Sequence, residues 1–122
     1  MKKIASFLFV LLAVILVISA CGEAKPARNM FVDGIPTVLK IGRDDCVACI
    51  EMNEILAEVE TQLGDSANIV KINTEDEPEA VKEFEIGAIP TIIFYDTDKV
   101  EKYRFIGKVE KEKVIAFVEE CR

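Results

Sequence analysis

A chain of 122 residues has room for one domain, and its 22 acidic against 15 basic side chains give a formal charge of −7 at pH 7. That balance excludes a nucleic-acid binder, which needs clustered Lys and Arg to meet phosphates. The four cysteines are an even number, so a disulfide framework stays open until their surroundings are read.

The chain opens with Met1-Lys2-Lys3, runs apolar from Ile4 to Ile18 with only Ser6 interrupting, and reaches Ser19-Ala20-Cys21. A basic head, an apolar centre and a small-residue end have the anatomy of a secretory signal over residues 1–20. Ile18-Ser19-Ala20-Cys21 resembles a bacterial lipobox, which implies that Cys21 is acylated on sulfur and becomes the first residue of the mature protein. One alternative is an uncleaved membrane anchor, since Ile4 to Ala20 is at the lower limit for spanning a bilayer; another is cleavage to a soluble protein. All three put the domain outside the cytoplasm. In lipid-anchored form it faces the periplasm of a Gram-negative cell or the exterior of a Gram-positive one. Losing the two leader lysines takes the formal charge to −9, so anionic head groups repel the domain and attachment depends on acyl chains. With Cys21 lipidated, Cys46, Cys49 and Cys121 remain, and three thiols cannot all pair within one chain.

Residues 21–33 carry charge, Pro and small side chains without a sustained period, which suits a lipidated N-terminus and a tether reaching about 40 Å at full extension. The folded domain is expected over residues 34–122. Pro36 to Ile41 is apolar and β-branched with one lysine and reads as a strand. After the cysteine pair, Ile50, Met52, Ile55, Leu56, Val59 and Leu63 recur near helical spacing, and Gly64 is a plausible stop. Asn68 to Asn73 reads as a second strand, and Glu77 to Phe84 as a short helix with Pro78 in its first turn. Thr91 to Tyr95, the turn residues Asp96-Thr97-Asp98, and Val100 to Ile106 read as an antiparallel hairpin. Lys111 to Cys121 closes the chain as an amphipathic helix burying Val114, Ile115, Phe117 and Val118. The order predicts an α/β fold, a mixed central sheet with helices on both faces.

Cys46-Val47-Ala48-Cys49 is open, taken alone, to three readings: a redox couple, half of a metal site, or a structural bridge. A structural zinc site wants four N or S ligands, and the chain has no His, no second CxxC and only the distant Cys121. No metal is expected. Lys71-Ile72-Asn73 in the next strand, Ile89-Pro90-Thr91 before an apolar strand, and Gly107 after the hairpin complete a set in fixed order. Over Pro36 to Glu120 the set resembles the thioredoxin family.

The resemblance implies a thioredoxin-like fold and a thiol-disulfide oxidoreductase that cycles between a Cys46-Cys49 disulfide and a dithiol. Its implied catalytic positions are Cys46, Cys49 and Pro90, and its implied substrate-binding positions are Val47, Ala48, Ile89, Thr91 and Gly107; Lys40 is a further catalytic candidate on its own chemistry, outside the family pattern. The resemblance also implies a cis Ile89-Pro90 bond that brings this loop against the cysteines and leaves the Ile89 backbone free for a client strand. Cys46 at a helix start, where free N–H groups favour an anion, is the expected nucleophile, and Cys49 one turn in is the resolver.

This chain departs from the family pattern in three places. Asp45 replaces a Trp before the first cysteine, Val-Ala replaces Gly-Pro between the two, and Lys40 stands where many thioredoxins keep a buried Asp. An apolar dipeptide, Asp44 and Asp45 argue, against partial compensation from Arg43, for a less acidic Cys46 and a reductase or isomerase rather than an oxidase. Lys40 either lines the sheet with its stem and snorkels to water, or lies partly buried and acts on the Cys49 proton. Cys121 is a bystander, with a bridge between chains as its alternative. No nucleotide or flavin motif is present, so no cofactor is expected and a reductase would draw electrons from a membrane donor. Protein thiols and disulfides are the expected substrates of a monomer. The rival class is a binding or assembly module with little turnover.

Overall fold

The computed structural model describes residues 28–122; the signal, the lipobox and Cys21 lie outside the described residues. Strand β1, Thr37–Gly42, is buried along its whole length because it lies between two others: β2, Asn68–Asn73, pairs with it in parallel, and β3, Thr91–Tyr95, pairs with it antiparallel. Strand β4, Glu101–Ile106, completes the sheet in the order β2-β1-β3-β4. The parallel pair requires a crossover, which helix α1, Val47–Leu63, supplies. It stops at Gly64, whose φ of +51° suits a residue without a side chain.

The period-2 pleat of the strands divides the core in two. Val38, Ile92 and Phe94 face α1 and the C-terminal helix α3, Lys111–Glu120, meeting Met52, Leu56, Val59, Val114, Val118 and Cys121. Leu39, Ile41, Ile93 and Tyr95 face the other way, onto Ile72, Ala80 and Phe84 around the short helix α2, Glu79–Glu83. The mixed sheet with helices on both faces is therefore observed.

Three differences from the sequence reading have local causes. Helix α2 is shorter than expected, with Pro78 as its N-cap and Phe84 as its C-cap, and Glu85 follows in the left-handed region at φ +53°. The hairpin turn is built on Asp96, whose Oδ1 accepts from the N–H groups of Asp98 and Val100 at 3.0 and 2.9 Å, so β4 starts one residue late.

The third concerns the segment expected to be tether. Arg28 pairs with Glu77 and with Glu83 at 3.2 Å, the Met30 carbonyl accepts from Asn68 Nδ2 at 2.6 Å, and Phe31 meets Tyr95 edge to face with centroids 5.1 Å apart. Packed structure thus begins at Arg28 rather than Gly34. The reason is coverage: α2 has only five residues, and Met30 and Phe31 close the apolar face that it leaves open.

Candidate active site

Strand β1 ends at Gly42, and three exposed residues, Arg43, Asp44 and Asp45, carry the chain to Cys46. Cys46 is the N-cap of α1, with extended backbone, and its sulfur accepts from the Cys49 backbone N–H at 3.3 Å. Cys49, one turn on, is fully buried and its S–H is directed at Cys46 Sγ; both are free thiols. This asymmetry separates their acidities. The Cys49 S–H bond, and then the N–H groups of Cys49 and Ala48, hold Cys46 below the usual thiol range, with a further contribution from the charge of Lys40. Burial, and then that same donation, push Cys49 up.

The expectation that Asp44 and Asp45 make Cys46 less acidic is corrected here. Asp45 is engaged by Arg43 through Nε at 2.8 Å and Nη2 at 2.5 Å, and Asp44 accepts from Asn73 Nδ2 at 2.9 Å. With their charge answered locally, neither carboxylate governs the sulfur, and the hydrogen bonds at the helix start do.

The Ile89-Pro90 bond is cis. The register that sets Thr91 opposite both Ile41 and Ile106 carries this loop to the end of β1 where the cysteine segment begins. Gly107, at φ +94°, donates its N–H to the Pro90 carbonyl at 2.7 Å and so ties the end of β4 to the loop. Among the described residues no backbone partner meets the Ile89 N–H or carbonyl. Thr91 needs correcting as a substrate contact: it is buried, its backbone lies between β1 and β4, and its hydroxyl donates to the Ala88 carbonyl at 2.6 Å. It braces the loop.

Val47 is 72% exposed and lies beside the nucleophile, with Ala48 half-buried behind it. Two positions the sequence reading missed join that surface. Ile50, whose spacing in α1 matches that of the apolar residues, is 45% exposed, and Ile106, opposite Thr91 at the end of β4, is 68% exposed. Their signals in the sequence are an apolar residue in the first turn of a helix and another just before a glycine turn. Lys40 is 3% exposed, so the snorkelling reading gives way to burial. Cys121 is packed into the core between α3 and the sheet, where a bridge to another chain has no access. Among the described residues no three His, Cys, Asp or Glu side chains come together as metal ligands.

The sequence model of the Thioredoxin family matches residues 36–120. The chain belongs to the thioredoxin family. It is similar to a thioredoxin of Rhodospirillum rubrum, 27% identical over 84 residues that cover 69% of this chain and 80% of the relative. It is similar also to thioredoxin 1 of Synechococcus elongatus, 27% identical over 96 residues covering 78% and 88% of the two chains. Among solved structures it superposes on thioredoxin-2 of a malaria parasite with a TM-score of 0.69 at 19% identity, over 74% of this chain and 86% of the other, a likeness of fold. As a thioredoxin-family member the chain is a thiol-disulfide oxidoreductase acting on protein disulfides, with Cys46 and Cys49 as its redox pair.

The geometry supplies both halves of that exchange. The partly exposed Cys46 is the sulfur placed to attack a client disulfide as a thiolate, which would bond it to one client sulfur and release the other as a thiolate. Cys49, in contact with Cys46, then displaces the first client sulfur, and the two electrons of the dithiol end on the client.

Proposed function

We propose that this thioredoxin-family protein is an extracytoplasmic reductase or isomerase, held on a bacterial membrane by lipid at Cys21. The observation that carries the reading of the site is the pairing of a partly exposed, acidified Cys46 with a buried Cys49 beneath an apolar rim. Val47, Ala48, Ile50, Ile106 and the unpaired Ile89 backbone form a surface on which an extended client segment can lie, its main chain bonding to Ile89 while its disulfide meets Cys46.

The reductase or isomerase reading is supported by what stands between the cysteines. Strong oxidants of this chemistry stabilise the reduced thiolate strongly, and the Val47-Ala48 dipeptide brings no cation or His to do so. About 150 mV, or about 7 kcal/mol for two electrons, separates a reducing thioredoxin from the strongest oxidant, a gap wider than screened surface charges cover. A monomer fed by a membrane electron donor fits a chain without a nucleotide motif.

Equilibration of the pair against a dithiol redox buffer tests the direction. A potential near about −270 mV is expected, whereas one near about −120 mV makes the protein an oxidant. Cell fractionation tests the anchor: Cys21→Ala should leave the membrane fraction.

A further inference from the structure

Gly42 is the last residue of β1, and a Cβ built there would stand 2.8 Å from Cys49 Sγ, 2.9 Å from Lys40 Cε and 3.0 Å from Lys40 Nζ. The missing methyl is therefore the space in which the buried lysine and the buried thiol meet. Their terminal atoms are within about 6 Å of each other, the range over which a cation favours a neighbouring anion. Among the described residues the Lys40 side chain forms no ion pair, although the residue is 3% exposed. Nearly all of this side chain is withdrawn from water, and a stem that merely fills the core would be better served by an apolar residue.

The groups around it leave Cys49 as its natural partner. On β3 the opposite residue is Ile92. On β2 it is Lys71, whose ammonium turns away to Glu60 at 3.8 Å. On α1 they are the two thiols, Cys46 and Cys49, whose anions the charge of Lys40 favours.

We propose that Lys40 is a positioning residue of the second half-reaction, the buried counter-charge that carries Cys49 through its thiolate. The inference rests on the redox reading of the pair. In the first step the Cys46 anion has the Cys49 S–H and two backbone N–H groups to hold it. Once Cys46 is bonded to a client sulfur that anion is gone, and Cys49 must lose its own proton in a buried site. Its S–H bond breaks, the Cys49–Cys46 disulfide forms, and the Cys46–client bond breaks. The client sulfur leaves with the electron pair and takes up a proton, so protons as well as electrons balance.

The test is a single turnover of the reduced full chain, in detergent, with 5,5′-dithiobis(2-nitrobenzoate). The first coloured thiolate is released by Cys46 and the second by Cys49, so the two phases report the two steps. Lys40→Met should slow the second phase about tenfold at neutral pH and move its midpoint about one unit upward, while changing the first phase much less. Its thermal transition should rise, because the buried charge is gone. If methionine packs poorly there, Lys40→Gln removes the same charge and should give the same change in the second phase. A second phase with wild-type rate and pH profile in the folded variants, or equal slowing of both phases, overturns the role of Lys40. A wild-type chain that releases neither thiolate overturns the redox reading itself.

Discussion

At the scale of single residues, the site works through a difference between two identical side chains. Cys46 and Cys49 are three positions apart, yet one stands at the open end of a helix and the other is sealed beneath it. Alkylation of the reduced protein with iodoacetamide, followed by peptide mapping, should therefore label Cys46 first, with a rate that rises through a midpoint below the ordinary thiol value of 9.0. Cys49 should stay unlabelled until the fold is lost. The same difference has a sign in stability. A depressed thiol pKa means that between the folded and unfolded values the unfolded chain holds the extra proton, so stability rises with pH across that window and is lost as pH falls back through it. Cys49 and Cys121, both pushed up mainly by burial, act oppositely: their contribution is complete below the unfolded thiol value and is lost as pH rises through the folded one. Thermal melts of reduced wild type and Cys46→Ser against pH should show the wild type gaining on the variant below pH 9.0, and the gain levelling off above it.

Elements hold these residues in place through a few ties that cross the chain. The turn after β4 is fastened to α1 twice, by Lys108 to Glu51 at 2.7 Å and by the Val109 N–H to Met52 Sδ at 3.3 Å, and to the cis-proline loop by Gly107. Met52 is fully buried, so Met52→Leu keeps its volume but strands the Val109 N–H; a loss of about 1–2 kcal/mol in urea unfolding is expected, with the redox pair intact. On the opposite face, the segment from Arg28 to Phe31 acts as an element without being helix or strand. Phe31→Ala, which uncovers the Tyr95 side of the core, should cost about 2 kcal/mol, less than a fully buried phenylalanine because Phe31 is only half-buried. Arg28→Ala should cost less, about 1 kcal/mol, and less again in high salt, since its partners are surface carboxylates.

For the whole molecule the dominant quantity is charge. A formal charge of −7 lies over a site whose rim is apolar, so long-range attraction selects cationic clients and contact at the rim is indifferent to charge. Reduction of cystamine should outpace reduction of the dianionic dithiodiglycolate, and the ratio should fall toward that of the intrinsic chemistry as salt rises from 0.01 to about 0.5 M. A ratio independent of salt would show that the field of the domain does not steer its substrates.

Much of this was legible before any coordinate. The order of strands and helices, the hairpin, and the placing of a cysteine pair at a helix start follow from short-range pattern: apolar period, turn residues, and a CxxC between strand and helix. Such features are local, and local sequence determines them. What tertiary structure decided is everything that depends on which distant side chain answers a charge or covers a face. Arg43 and Asn73 silence the two aspartates, Thr91 turns inward, Ile50 turns outward, Met30 and Phe31 complete a core, and Gly42 leaves room for Lys40 against Cys49. A sequence states that a lysine or an aspartate is present. Only the packed chain sets how far it stands from its counter-charge and how much water lies between them, and electrostatic energy depends on both.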